Sequence, residues 1–310
     1  MTPELQEINF SIVSHCNAKC VFCPRPDHVS KKKFMPVDLV ERIVEEITAP
    51  GLPYKIVHSH VGENGEATLH PDFIEILRVL KRAGHEVGLY TNLSHLDSEK
   101  ARIILEEGLL EKINFNIDGL NEASYRAMKG LELDTVTRNV IDFIKIRKEL
   151  NVSCPIAIHI ITAENYLATV LKHFRVRPHK LPLTSLFVPG EAERIKATWE
   201  QIVGPNDNVG ISPCLMWAER GHTKPLEGDF ECFNKSRLYN SAFIAPNGDW
   251  YACCFDVGNE LVMGNVYEQS LVEIFEGEKL RDLREKIEAK QFKSIGPPCD
   301  RVDCCQVVGV

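Results

Sequence analysis

Three cysteines near the N-terminus have both the residue type and the spacing of a metal centre. Cys16, Cys20 and Cys23 follow the pattern C-x3-C-x2-C, directly after a short apolar segment. Cysteine thiolates hold iron–sulfur clusters, and a cubane [4Fe–4S] cluster has four irons. Three ligands in one loop leave one iron without a protein ligand. The pattern therefore predicts a cluster with one iron open to chemistry.

Two other uses of these cysteines stay open at this point. Zinc sites usually show paired C-x2-C spacings or histidine partners, and His15 is the obvious local histidine. A disulfide framework is typical of secreted proteins. Residues 1–7 show no basic and then apolar stretch, so they do not indicate a signal peptide. The iron–sulfur interpretation is favoured over both.

The composition narrows the class of protein. The chain has 310 residues, of which 44% are hydrophobic and 26% charged, and its formal net charge is −8. No run approaches the roughly 20 apolar residues of a membrane span, and the acidic balance disfavours a broad nucleic-acid surface. Eleven cysteines without a secretory signal favour a reducing compartment and metal binding. We therefore expect a cytoplasmic protein that binds neither membranes nor nucleic acid.

Strand and helix signals alternate over the first 190 residues and must position the cysteine loop. The predicted strands are Ile8–Val13, Lys55–Val61, Glu86–Thr91, Lys112–Asp118, Ile156–Thr162 and Leu183–Val188. Helical periodicities lie between them. Such a series of βα units predicts a parallel α/β sheet with right-handed crossovers. The pattern alone does not distinguish an open sheet from a partial barrel.

The rest of the chain changes character twice. Glycines and prolines punctuate residues 190–230, where only Glu191–Val203 has a helical pattern, and cysteines become frequent from Cys232 onward. An Asn-Gly dipeptide at 247–248 between two β-prone runs predicts a hairpin, and a helix is predicted at about 270–290. We therefore expect a domain over residues 1–190, a bridge over 191–230 and a small cysteine-rich domain over 231–310.

Polar residues follow several predicted strands, where parallel α/β folds gather their functional groups. They are Gly65 and Glu66 after the second strand, Thr91 and Asn92 after the third, and Asn116 and Asp118 at the end of the fourth. Strand alternation places Asn116 and Asp118 on one face. Each group alone is compatible with a turn or a helix cap. Their order at successive strand ends makes coincidence improbable.

Together with the cysteine loop, these strand ends resemble the radical S-adenosylmethionine (radical SAM) superfamily. Phe22 stands just before the third cysteine, as in that family, while Ala67 and Leu93 replace a proline and a glycine that are usual there. The resemblance implies a (β/α)6 partial TIM barrel with a [4Fe–4S] cluster on the three cysteines. It also implies SAM contacts from Phe22, Gly65, Glu66, Thr91, Asn92, Asn116, Asp118 and Arg126.

The cysteines after residue 230 resemble SPASM and twitch auxiliary-cluster domains. Fifteen residues separate Cys232 from Gly248, and four separate Gly248 from Cys253, as in the opening motif of those domains. The resemblance implies one auxiliary [4Fe–4S] cluster on Cys232, Cys253, Cys299 and Cys304. Cys305 is an alternative to Cys304, and zinc on the same thiolates stays open. Radical SAM epimerases return a hydrogen atom from a cysteine thiol, so Cys254 is a candidate catalytic donor.

The resemblance implies reductive cleavage of SAM to a 5′-deoxyadenosyl radical, with an external electron donor such as flavodoxin or ferredoxin. The radical would take a hydrogen atom from a carbohydrate-like small molecule or a peptide, leading to oxidation or epimerisation. The short segment before the first strand favours small molecules. One alternative is a peptide maturase that epimerises or cross-links a precursor. A different class is a non-catalytic iron–sulfur or zinc scaffold or electron carrier, which would have no use for SAM contacts.

Overall fold

The computed structural model of the chain describes residues 2–23, 32–166, 188–212, 230–300 and 305–307. The strands are β1 (Glu7–Phe10), β2 (His58–Val61), β3 (Glu86–Tyr90), β4 (Lys112–Asn116), β5 (Ile156–Ile160), β6 (Asn208–Ile211), β7 (Phe230–Cys232), β8 (Ser241–Ile244), β9 (Asp249–Tyr251), β10 (Val262–Asn265) and β11 (Cys305–Val307). The helices are α1 (Val37–Thr48), α2 (Phe73–Arg82), α3 (Ser98–Glu106), α4 (Glu122–Lys129), α5 (Leu133–Leu150), α6 (Glu191–Glu200), α7 (Arg237–Asn240), α8 (Leu271–Phe275), α9 (Glu278–Glu288) and α10 (Phe292–Ile295). Residues 163–166 are also helical, and a 3-10 helix spans Ala67–Leu69. Within these ranges, no helix is long and apolar enough to cross a membrane.

One nine-stranded sheet has the strand order β10-β9-β8-β1-β2-β3-β4-β5-β6. Neighbouring strands from β8 through β1 to β6 pair in parallel, and β9 and β10 continue the sheet as antiparallel strands. Helices connect most of the parallel strands, as βα crossover units require. The predicted α/β class is confirmed, with an incomplete barrel and a smaller C-terminal part.

The sixth parallel strand does not lie where the apolar runs place it. The predicted strand Leu183–Val188 falls outside the described residues except for Val188, which is not in a strand. The strand that pairs with β5 is instead β6, preceded by α6. Its sequence Asn-Val-Gly-Ile has no apolar run, and among the described strands it stands at one edge of the sheet. The parallel sheet therefore extends into the segment interpreted as a bridge.

The predicted hairpin around Gly248 forms from β8 and β9, and Gly248 has a φ of +84° that glycine adopts without strain. The hairpin is also part of the main sheet, because β8 pairs in parallel with β1. Phe10 lies opposite Ile244, and the Ser11 amide donates to the Ile244 carbonyl at 2.9 Å. The cysteines that follow β9 are therefore carried by the same sheet as the N-terminal cysteine loop.

The parallel strands alternate between an apolar and a polar face. Apolar residues such as Phe10, Leu89 and Phe115 are buried in one hydrophobic core with residues of the surrounding helices. The polar positions pair across the sheet, with Asn9 beside His60, Tyr90 beside Asn114 and Asn116 beside His159. Because the helices cover the apolar face, the polar face lines the inside of the partial barrel.

Candidate active site

The N-terminal cysteine loop follows β1 and is fastened to two neighbouring segments. The Lys19 amide donates to the Lys129 carbonyl at 2.7 Å, and the Val21 amide donates to the Met128 carbonyl at 3.0 Å. On the other side, the Glu66 amide donates to the His15 carbonyl at 2.9 Å. These contacts hold the loop between the end of α4 and the loop after β2, so its shape is set by the protein.

Gly65 permits the closest approach to the cysteine loop. It has a φ of +110°, and a Cβ atom there would lie 2.1 Å from the Val13 carbonyl oxygen and 2.9 Å from that of His15. Such distances are far inside van der Waals contact, so no side chain fits. This explains physically why glycine precedes Glu66 in the loop after β2.

Glu66 is the centre of a hydrogen-bond network that joins three loops. Its side chain is buried, and Oε1 accepts from the hydroxyl of Thr91 at 2.6 Å and of Thr68 at 2.5 Å. Oε2 accepts from the Asn92 amide at 2.7 Å. The Asn92 side chain in turn donates to Cys16 Sγ at 3.5 Å. The structure therefore brings together Gly65, Glu66, Thr91 and Asn92, all of which the sequence singles out.

Leu93 stands at a position whose backbone conformation favours glycine. Its φ is 63°, in the left-handed region that favours glycine. The leucine side chain is buried, and its amide donates to the Thr91 hydroxyl at 3.0 Å. Buried packing and this hydrogen bond offset the backbone strain in the present chain.

Asn116 and Asp118 differ in their surroundings. Asn116 is half-buried on the polar face of the sheet, beside His159. Asp118 is fully buried; its Oδ1 accepts from the Ile161 amide at 3.0 Å, and its Oδ2 lies 3.0 Å from Lys129 Nζ. Burial acts to lower the pKa of Lys129, but the Asp118 carboxylate raises it well above the usual range. The two residues therefore form a buried ion pair.

Helix α4 presents Lys129 to the cysteine loop and Arg126 to solvent. Arg126 is 58% exposed and pairs with Glu122 at 2.6 Å, so the structure does not bring this predicted SAM contact to the site. Lys129 Nζ instead lies 5.9 Å from the ring centroid of Phe22, which is buried. The sequence signal for Lys129 is its place just before Gly130, where the end of the helix meets the loop.

The second group of cysteines comes from separate elements. Cys232 ends β7, Cys253 and Cys254 follow β9, and Cys299 follows α10. Burial raises the pKa of Cys253 well above its usual range, and the charges of Cys254, Cys299 and Cys232 act in the same direction. Cys304 lies outside the described residues, and strand pairing places Cys305 opposite Cys232.

Both groups have the donor chemistry of iron–sulfur sites. No disulfide links the cysteines whose side chains are described. Burial raises the pKa of Cys16 to about 11 and of Cys20 to about 12. In the part of the chain that the structure covers, no three metal-binding side chains converge as ligands of a single ion. A cubane does not need such convergence, because each thiolate binds a different iron.

Asp256 closes the loop that carries Cys253 and Cys254. Its Oδ1 accepts from the Glu260 amide and its Oδ2 from the Leu261 amide, both at 2.8 Å. The Asp256 amide donates to the Cys253 carbonyl at 2.9 Å. The aspartate in the Cys-Cys-x-Asp sequence therefore fixes the backbone at these cysteines.

Three half-buried residues follow β2, end β3 and follow β9, respectively: Glu63, Tyr90 and Cys254. Burial raises the pKa of Glu63 to about 7. Burial raises the pKa of Tyr90 and of Cys254 to about 12 each, and the Glu63 charge adds to both shifts. The Asn234 side chain donates to Cys254 Sγ at 3.3 Å. Sequence reasoning missed Glu63, because a glutamate in a glycine-rich loop has no local signal of burial.

Comparison with known proteins agrees with this geometry. Residues 10–170 match the model of the radical SAM superfamily, and residues 232–305 match that of the SPASM iron–sulfur cluster-binding domain. A probable GTP 3′,8-cyclase of Pyrococcus horikoshii is 29% identical over 136 residues, which are 43% of this chain and 41% of that protein. The chain spans less than half of the length of the curated relatives it matches.

Two solved structures have the same fold. BtrN in complex with AdoMet and 2-DOIA has a TM-score of 0.54 at 15% identity, with 100% of this chain and 96% of that chain covered. Streptococcus suis SuiB bound to precursor peptide SuiA has a TM-score of 0.58 at 15% identity, with 91% and 67% covered. The two matches imply a SAM-binding [4Fe–4S] cluster and auxiliary iron–sulfur binding. Because the first family model covers more than half of the chain, this protein belongs to the radical SAM superfamily and carries a C-terminal SPASM domain.

Proposed function

We propose that this protein abstracts a hydrogen atom from a hydroxyl-rich, carbohydrate-like small molecule, in a reaction that ends in oxidation or epimerisation. The polar inner face of the sheet carries this proposal. Tyr90 lies beside Asn114, and Asn116 lies beside His159, so phenol, amide and imidazole groups form one wall. Each of these groups can donate or accept a hydrogen bond, which matches the hydroxyl groups of a sugar or a cyclitol.

Cys16, Cys20 and Cys23 are the proposed ligands of the SAM-binding cluster, and Cys232, Cys253, Cys299 and Cys304 those of an auxiliary cluster, with Cys305 as an alternative to Cys304. Bound SAM supplies the 5′-deoxyadenosyl radical that takes the hydrogen atom. Glu66 Oε2 accepts one hydrogen bond from Asn92 and has a second lone pair for an ammonium group. The hydroxyl of Thr91 holds that carboxylate in place.

Side-chain hydrogen bonds fasten the hairpin to the strand ends that carry the proposed SAM site. The Tyr251 hydroxyl lies 2.7 Å from the Ser11 hydroxyl and accepts from the Asn64 side chain at 3.0 Å. These bonds join the hairpin to the strand ends beside Glu63. We propose that the Glu63 carboxylate accepts a hydrogen bond, or the proton, from a substrate hydroxyl. Cys254, whose sulfur accepts from the Asn234 side chain, is the proposed hydrogen-atom donor if the reaction is an epimerisation.

Anaerobic reconstitution with iron and sulfide tests the first step. With SAM and a strong reductant, we expect 5′-deoxyadenosine to form. In a variant with Cys16, Cys20 and Cys23 all changed to alanine, we expect the auxiliary iron to remain and deoxyadenosine formation to stop. Clusters without deoxyadenosine under any reducing condition would support an electron carrier instead.

The substrate class needs a separate experiment. Amino sugars, cyclitols and short peptides are compared as enhancers of deoxyadenosine formation in deuterated buffer. A peptide substrate is the second candidate, because the fold resembles a structure solved with a precursor peptide. Solvent deuterium at the product carbon indicates epimerisation. Its persistence in a Cys254→Ala variant would exclude Cys254 as the donor.

A further inference from the structure

We propose that the buried pair Lys129–Asp118 sets the reduction potential of the cluster held by Cys16, Cys20 and Cys23, with Lys129 easing reduction and Asp118 opposing it. This inference rests on the proposed cluster site. It concerns a positioning pair, because neither side chain is a cluster ligand. Lys129 ends α4 and Asp118 follows β4, and both side chains are turned away from solvent.

Both members of the pair are fixed from two directions. The side chain of Lys129 is 5% exposed and that of Asp118 is 0% exposed, with 3.0 Å between Nζ and Oδ2. The Lys129 carbonyl accepts from the Lys19 amide within the cysteine loop, and the Asp118 carboxylate accepts from the Ile161 amide. The backbone of Lys129 is thus tied to the cysteine loop, and its ammonium group is held by the Asp118 carboxylate, which the Ile161 amide holds in turn.

The positive end of the pair is the end nearer the cysteine loop. Lys129 Nζ lies over the ring of Phe22, the residue between Cys20 and Cys23. The Lys129 carbonyl also accepts from the Lys19 amide of the same loop, whereas the Asp118 carboxylate is bonded on its other side to the Ile161 amide. The pair is therefore an oriented dipole rather than a cancelled charge.

Reduction by an external donor adds one electron, and thus one negative charge, to the cluster. A buried ammonium stabilises that added charge strongly, because little water screens the interaction. Net charge and polar contacts around the sulfurs are the protein's means of setting cluster potentials. Removing Lys129 should therefore make reduction harder, and removing the charge of Asp118 should make it easier.

The test is a redox titration of the whole reconstituted protein, followed by electron paramagnetic resonance. The SAM-binding cluster is recognised by the change that added SAM produces in its signal. In Lys129→Met we expect a lower midpoint, with less than half of this cluster reduced at the wild-type midpoint. In Asp118→Asn we expect more than half reduced there. Arg126→Met, on the exposed side of the same helix, is the control and should leave the midpoint unchanged.

Opposite shifts in the two variants are the decisive result, because a purely structural pair would affect both in the same way. Equal midpoints, or shifts of the same sign, would overturn the inference. If Lys129→Met does not fold, Lys129→Arg keeps the charge and should retain the wild-type midpoint, while Asp118→Asn still reports its own sign. A wild-type protein with no SAM-responsive signal would overturn the cluster site itself and the inference with it.

Discussion

Among single residues, Glu63 has the environment that most directly links acidity to function. Burial raises the pKa of its carboxyl group to about 7, and its charge raises the pKa of Tyr90 and of Cys254. Raising a carboxyl pKa to neutrality lets one group switch between proton donor and proton acceptor at the pH of the cell. Glu63 is thus the residue at which the proposed reaction should respond to pH.

The pH dependence of turnover follows from that value. With the substrate found by the screen above, kcat/KM should rise as the pH passes about 7, because the proposed role needs the carboxylate. Glu63→Gln should lose this rise and lower kcat/KM by about 100-fold or more, as for other general bases. Glu122→Gln, on the surface of α4, serves as the control. An unchanged profile in Glu63→Gln would contradict the assignment.

The same group makes a stability prediction for the cluster-free protein. The folded pKa of Glu63 is raised above the unfolded value of about 4.3. Between these values the folded state holds the extra proton, so this contribution is present below pH 4.3 and is lost as the pH rises through about 7. Denaturant unfolding from pH 5 to 8 should show a smaller loss of stability in Glu63→Gln than in the wild type. Equal losses of unfolding free energy in the two proteins would contradict the raised pKa of Glu63.

Gly65 and Gly84 allow backbone strain to be separated from close approach. Both have positive φ, but a Cβ at Gly84 would meet nothing within 4 Å, whereas at Gly65 it would strike the Val13 carbonyl. Gly84→Ala should cost about 1 kcal/mol, from the left-handed backbone alone. Gly65→Ala should cost several times more and should reduce the iron bound by the N-terminal loop. Equal free energies of unfolding in the two variants would refute the steric argument.

At the scale of elements, the shape of the loop that carries Cys253 and Cys254 is maintained by hydrogen bonds from its backbone amides to a carboxylate in the same loop. Asp256 accepts two backbone amides in the loop after β9. Asp256→Ala should cost about 2–4 kcal/mol, since it leaves two donors without a charged acceptor, and should weaken retention of auxiliary iron. Asp97→Ala is the control, because Asp97 caps α3 by accepting from the Lys100 amide and from the exposed Lys100 ammonium, and contacts no cysteine among its described hydrogen bonds. That variant should lose about 1 kcal/mol and no iron.

Elements with strong local patterns were predictable from the sequence, and those defined by distant partners were not. Strands β2 to β5 are predictable because apolar residues alternate or cluster along them. Strand β6 has no such pattern, and its position in the sheet is determined by its pairing with β5. The resemblance points to Arg126 in α4, whereas the packing of the helix end leaves Arg126 exposed and buries Lys129. Long-range packing of this kind leaves no periodic signal.

Across the whole molecule, the two cysteine-bearing parts share one sheet and one hydrophobic core. The core includes Phe10 and Leu89 from the parallel strands together with Phe243, Trp250 and Phe275 from the C-terminal part. We therefore expect the cluster-free chain to unfold in a single transition. Phe243→Ala should cost about 3–5 kcal/mol and shift that transition as a whole. Two separate transitions in calorimetry would contradict the shared core, if Phe243→Ala shifted only the transition of the C-terminal part.

The pairing of β1 with β8 has a consequence for synthesis. The Asn9 side chain donates to the Ala242 carbonyl, a residue 233 positions later in the chain. While the polypeptide leaves the ribosome, β1 can pair with β2 early, but its other edge has no strand until nearly the whole chain has emerged. A bare strand edge is a site for wrong pairing and aggregation. The hairpin thus covers the free edge of β1 late in synthesis. Truncations that remove it should yield insoluble protein even when every residue of the proposed SAM site is present.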